Sequence, residues 1–264
     1  MTYAGILSLF IVPACLVIVA LVVRDSRLSN KSDLKAGVLA VLFHMLLALI
    51  YTTPWDNYLV ANRVWWYDPA LVTGITLAWV PLEEYAFFML QTAFTGFWYL
   101  WIRQRFPERD FTPDRKLRKN LSLLGLALWS LSIMFALFSS PKFTYLTLIT
   151  IWAIPPMVLQ VAFGGDILAA NWRAVILGII PPTIYLWTVD LLAIQWGTWT
   201  ISPSLTTGIK LAILPLEEML FFLVTNIMVV FGITLLLSPQ SRQRARAWLV
   251  RLGFRRLATR EATQ

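Results

Sequence analysis

The chain reads as an all-α polytopic membrane protein of about seven transmembrane helices, built from two parallel three-helix repeats and one linking helix. Three observations predict this. Of its 264 residues 58% are apolar and only 14% charged, with a mean hydropathy of +0.69. A soluble domain carries roughly 25% charged residues, so this chain has too little polar surface to coat a water-facing globule. Apolar stretches fall at 3–23, 36–53, 71–101, 120–138, 143–163, 173–196 and 204–237, most of them near the ~20 helical residues that cross a hydrocarbon core. Finally, residues 51–97 align without a gap with 185–231 at an offset of 134, with 17 identities in 47 positions.

The first stretch has no basic n-region and no small-residue cleavage site after it, so it is expected to remain as a helix rather than a removed signal. Basic residues then set the orientation. Of the 22 Lys and Arg, 19 fall in the connections 24–35, 102–119 and 164–173 and in the tail after Pro239, against Arg63 and Lys142 on the other side. The positive-inside rule places the N-terminus outside and the C-terminus in the cytoplasm of a cell-membrane protein, as seven crossings require. The net charge of +8 therefore marks loop placement, and no nucleic-acid partner is expected. The tail from Arg242 to Arg260 reads equally as an interfacial helix, through Trp248, Leu249, Leu252 and Phe254, and as a solvated end. The lone Cys15 excludes an internal disulfide, and the lone His44, with no Cys/His cluster, gives no metal site and reads as an interior imidazole.

The repeat matches Tyr51 with Tyr185, Asp56 with Asp190, Trp65 with Trp199 and Thr73-Gly74-Ile75 with Thr207-Gly208-Ile209. It also matches Pro81-Leu82-Glu83-Glu84 with Pro215-Leu216-Glu217-Glu218, each followed by a Phe pair, Phe87-Phe88 and Phe221-Phe222. Apolar composition does not produce two PLEE tetrapeptides in one register, so the chain is read as a duplication. The proposed division is 1–101 and 143–237 for the repeats, 102–142 for the basic loop and linking helix, and 238–264 for the basic tail. Both copies cross in the same direction, which sets a pseudo-twofold axis along the membrane normal and turns both acidic motifs toward one shared cavity.

Counted from the start of its apolar stretch, Glu83 lies about 12 residues deep, or ~18 Å, near the bilayer centre. Pro81 and Pro215 are expected to free the carbonyls of Leu77 and Leu211 and bend the helix there. An ionisable group at that depth costs roughly 2.5–3.5 kcal/mol, so the default reading is functional. Each pair should retain at least one proton, because burial favours the neutral acid and a neighbouring carboxylate disfavours a second charge. A dry carboxylic acid can protonate an alkene. The ring faces of Phe87, Phe88, Phe221, Phe222, Trp65, Trp199 and Trp79 can stabilise the resulting cation, although rings at helical spacing are also ordinary packing. Asp56 and Asp190, near helix ends, read equally as capping residues and as partners of the acid pairs. The alternative for the glutamates is a buried ion pair, available only in the second copy through Lys210.

At its two PxEE motifs the chain resembles the membrane-integral carotenoid cyclases, the bacterial heterodimeric and the archaeal or fungal fused lycopene cyclases. The resemblance implies a self-sufficient fused form that cyclises the ends of lycopene to β-ionone rings through γ-carotene, an isomerase (intramolecular lyase) of carotenoid biosynthesis. It implies Glu83 and Glu217 as proton donors, Glu84 and Glu218 as residues that tune acidity or remove the final proton, and no cofactor. The sequence accordingly lacks a G-x-G-x-x-G fingerprint. The partners it implies are a hydrophobic polyene, lycopene, and the lipid bilayer; a homo-oligomer is compatible with the pattern. Other readings are a cyclase of another carotenoid, a retinal-binding seven-helix protein using Lys210, or a proton-coupled transporter.

Overall fold

A computed structural model of the protein describes residues 1–26, 31–106 and 112–251. The fold is a bundle of long helices. α1 (Tyr3–Ile6) runs through a π-helical turn at Leu7–Ile11 into α2 (Val12–Ser26). α3 (Lys31–Ala61), α4 (Leu82–Arg103), α5 (Arg115–Phe138), α6 (Thr144–Ala170), α7 (Trp172–Gln195) and α8 (Leu216–Leu237) follow, and a short α9 (Pro239–Arg251) closes the described chain. Six helical stretches among the described residues are long and apolar enough to cross a bilayer. α4 is not one of them, although it is as long as α8: it carries Glu83, Glu84, Gln91, Thr92 and Thr95, all buried against its neighbours. The remaining helix of the seven expected from the sequence falls on α4, a central helix whose buried face carries these polar groups.

The acidic motifs depart from expectation. Residues 71–81 and 204–215 are not helical. Each forms a tight hairpin, β2 (Thr76–Leu77) with β3 (Val80–Pro81), and β5 (Lys210–Leu211) with β6 (Leu214–Pro215). Gly74 and Gly208, at φ +77° and +80°, enter these hairpins through left-handed backbone that glycine alone adopts without cost, and Ala78 and Ala212 turn them at φ near +55°. Pro81 and Pro215 are extended residues at the N-caps of α4 and α8, where a missing N–H costs nothing, so they start helices rather than bend them. The expected kink and the bilayer-centre depth of the glutamates are thus corrected: all four lie in the first turn of a helix, beside its positive end. The apolar run that imitated a span belongs to the hairpins, which expose Ile75, Leu77, Trp79, Ile209 and Leu211.

The succession helix, strand, hairpin, helix occurs twice, and the copies meet at matching residues. β1 (Trp65–Tyr67) pairs antiparallel with β4 (Trp199–Ile201), centred on Trp66 opposite Thr200, two positions 134 apart. Lower in the bundle, Gln91 Nε2 donates to Thr225 Oγ1, again 134 apart, at 2.7 Å. The match extends beyond the aligned segment. Tyr3 N–H bonds the Leu71 carbonyl as Tyr145 N–H bonds that of Leu205, and Tyr51 and Tyr185 donate to the carbonyls of Trp152 and Phe10.

At the end opposite the strand pair, charges are neutralised locally. Asp166 of α6 is held by Arg244 of α9 at 2.9 Å and by Arg118 of α5 at 3.5 Å, and Asp25 pairs with Arg105 at 2.6 Å. The Asp166 contact ties the tail helix to the bundle; Leu252 and Phe254, expected on its interfacial face, lie outside the described residues. α5 packs on α6 and buries none of its own residues.

Candidate functional site

Four carboxyl groups converge beneath the β1–β4 pair. α4 and α8 supply Glu84 and Glu218 from their first turns, while α3 and α7 supply Asp56 and Asp190 from about a turn and a half below their last residues. All four are buried, with at most 8% of each exposed, and they line one small cavity of about 40 Å³. The expected shared cavity is present. The aspartates, read equally as helix caps, are interior.

Phenols surround the acids. Tyr3 Oη donates to Glu84 Oε2 at 2.6 Å, Tyr67 Oη donates to the same oxygen at 2.9 Å, and Tyr145 Oη donates to Glu218 Oε1 at 2.7 Å. Trp199 Nε1 donates to Asp190 Oδ1 at 2.8 Å, while Asp56 Oδ2 and Asp190 Oδ2 have no hydrogen-bond partner. Tyr67 lies on β1, outside the helices; burial first, then the Glu84 carboxyl beside it, holds its hydroxyl well above the usual phenol range, so it remains a donor. No Lys or Arg lines the cavity. Lys210, the candidate ion-pair partner and retinal anchor, is exposed on β5.

The two glutamates of each motif face different ways. Glu83 accepts the Thr73 N–H at 2.6 Å and its hydroxyl at 2.9 Å, and Glu217 accepts the Thr207 N–H at 2.7 Å. Adjacent helical residues point about 100° apart, so when the second glutamate of each motif enters the cavity the first is turned to the hairpin entrance. Glu83 and Glu217, expected as proton donors, sit outside the cavity lining. Their contacts predict a structural role. Glu83→Ala should cost about 1–3 kcal/mol through unpaired Thr73 groups, read as a lower thermal midpoint in detergent, whereas Glu83→Gln keeps an acceptor and most of the stability.

The aromatic candidates divide similarly. Phe87, Phe221, Phe222, Trp65 and Trp199 line the cavity, Phe88 lines the groove below it, and Trp79 is 66% exposed on its hairpin, away from the acids. Sequence reasoning missed Tyr3, Tyr67, Tyr145, Trp55 and Trp152. Trp55 stacks on Trp152 at 4.5 Å and on Phe221 at 5.7 Å, backing the Phe221 wall of the cavity from behind. A signal for the phenols did exist: Thr2-Tyr3 and Thr144-Tyr145 each open a helix, but at an offset of 142, outside the register of the main repeat. His44, buried, hydrogen-bonds the Ala40 carbonyl through Nδ1 at 2.7 Å, as an interior imidazole should.

Residues 3–102 and 142–236 match the sequence profile of the family described as lycopene cyclase. The chain is 38% identical over 214 residues to the lycopene beta-cyclase of Halobacterium salinarum, covering 81% of this chain and 87% of that protein. It is 38% and 39% identical to the bifunctional lycopene cyclase/phytoene synthases of Phaeosphaeria nodorum and Aspergillus oryzae, covering 75% and 72% of this chain. It spans only 36% and 33% of the length of those two fungal relatives. No solved structure matches it.

Proposed function

Because the chain belongs to the lycopene cyclase family, we propose that its acid cavity converts the linear ends of lycopene into β-ionone rings, as an isomerase (intramolecular lyase) that neither adds nor removes atoms. The observation that carries this reading is four buried carboxyl groups in one cavity without a lining cation. Four adjacent carboxylates cannot all be charged in such a place, so the cluster holds protons. Tyrosine and tryptophan donors fix its geometry.

The reaction needs a proton delivered to the terminal double bond, attack of the neighbouring double bond on the cation so formed, and removal of a proton from the closed ring. Glu84 accepts two phenol hydrogen bonds and Glu218 one. Hydrogen bonds donated to a carboxyl favour its charged form, so Glu84 is the better base and Glu218 the donor. Asp56 and Asp190 are the reservoir, each with an oxygen free of hydrogen bonds. Phe87, Phe221 and Phe222, which line the cavity, stand beside the cation, an attraction worth roughly 0.5–2 kcal/mol per ring face.

The two-repeat architecture supports the same reading, with a fused pair of three-helix units meeting about an axis through Trp66–Thr200 and Gln91–Thr225. The N-terminus is assigned outside and α9 to the cytoplasmic face on the basic-residue count. One cavity handles one end at a time. Expressed in a lycopene-accumulating host, the protein should yield a monocyclic pigment before a bicyclic one, resolved by chromatography over a time course; lycopene left unchanged would refute the reading. A transporter would move its substrate between compartments and leave its absorption spectrum unaltered.

A further inference from the structure

The acid cavity accounts for one end of a long substrate and leaves the rest of the molecule without a place. Below it the bundle is open. Phe221 is a wall of the cavity and also of an apolar groove between α3, α4, α6 and α8, with a volume of about 330 Å³. His44, Leu47, Leu159 and Gln160 continue that groove into a further stretch that ends at Leu236 and Ala245, against α9. From Glu218 to Leu236 is 18 residues of α8, or about 27 Å of helix, nearly the thickness of a bilayer's hydrocarbon core.

We propose that this groove is the binding track for the body of a linear hydrocarbon polyene, lying along α3, α6 and α8 with one end among the carboxyls and the other against α9. This rests on the cyclase reading of the cavity and adds where the unreacted chain goes. Three features select such an occupant over a peptide helix or a compact ligand. The track joins the cavity through the shared Phe221 wall. Its upper side carries Tyr51 stacked on Trp152 at 5.6 Å and 22°, with Trp152 backed by Trp55 at 4.5 Å and 18°, a rigid aromatic border against which a conjugated chain can pack. Leu47 and Leu159, on opposite lips, are 47% and 72% exposed, so the groove opens sideways and a lipid-dissolved chain enters without crossing water.

The track also orders the chemistry. With one end at Glu218 the other lies the length of the groove away, so the monocyclic product must leave and return reversed before its second ring is closed.

The test narrows the groove at Ala48, which lines it on α3, by Ala48→Trp in the protein reconstituted in phosphatidylcholine vesicles. Two readouts are taken: turnover of lycopene relative to an acyclic polyene with the same terminus and about half the chain, and lycopene affinity by quenching of tryptophan fluorescence in a Glu84→Gln/Glu218→Gln background. The expected result is a fall of about tenfold or more in the lycopene-to-short-chain ratio, and lycopene affinity weaker by about tenfold. Leu124→Trp, the same bulk placed on the exposed face of α5 and outside both cavity and groove, keeps lycopene affinity within about threefold; an equal loss there would overturn the assignment of the Ala48→Trp effect to the groove. Both polyenes slowed alike, or lycopene affinity unchanged by Ala48→Trp, would overturn the track. Should wild-type protein cyclise neither polyene, the cavity reading falls, while the affinity measurement still decides the groove.

Discussion

Glu218→Gln is expected to lower ring formation by roughly 10²–10⁴-fold, the usual contribution of a positioned general acid, and the Glu84→Gln/Glu218→Gln double variant to leave only acyclic pigment. Gln preserves size and an oxygen acceptor for Tyr145, so the bundle should keep its thermal midpoint while the chemistry stops. Chromatography of pigments from lycopene-accumulating cells gives the readout. The same substitution at Glu217 should be far milder, because that side chain serves the Thr207 N–H and is not part of the cavity lining. Equal losses at positions 217 and 218 would mean that the split between the two members of each motif is mistaken.

Removing Trp199 should have the second largest effect and a different signature. Trp199 supplies a cavity wall, the only side-chain hydrogen bond on Asp190 among the described residues and one end of the strand pair that roofs the acids. Trp199→Ala therefore frees Asp190 and opens the roof together. Water then competes with the neighbouring double bond for the cation and gives up a proton, leaving a tertiary alcohol in place of a ring. Ring formation should fall by about 10–10²-fold, with hydroxylated acyclic pigment appearing beside lycopene, identifiable by mass spectrometry as a gain of one water. Trp199→Phe, which keeps most of the wall but not the hydrogen bond, separates the two roles: a large loss without hydroxylated product assigns the effect to Asp190.

Much of this site was legible in the amino-acid order. The duplicated PLEE motif and the Asp-to-Trp spacing pick out Asp56, Glu84, Asp190, Glu218, Trp65 and Trp199, all of which line the cavity. What could not be read was depth and direction. The hairpins before α4 and α8 are as apolar as a membrane helix, so a hydropathy count absorbs them, although Thr-Gly-Ile in both copies was a turn signal available to a closer reading. That miscount moved the glutamates from a helix's first turn to its middle and hid the difference between Glu83 and Glu84. The phenols were missed for another reason. Helix α1 and its counterpart α6 are out of register with the main repeat by eight residues, mostly because α3, with 31 residues, is longer than its counterpart α7, with 24.

The cation-free walls around Glu84 and Glu218 bear on energetics beyond the bundle. On the proposed mechanism, a hydrogen ion released to the polyene and one recovered from the ring both belong to the same enclosed group of acids, so each turnover returns the catalyst to its starting charge. Such an enzyme needs no wire to bulk water and draws nothing from the electrochemical gradient. It should work as well in de-energised vesicles as in a respiring cell.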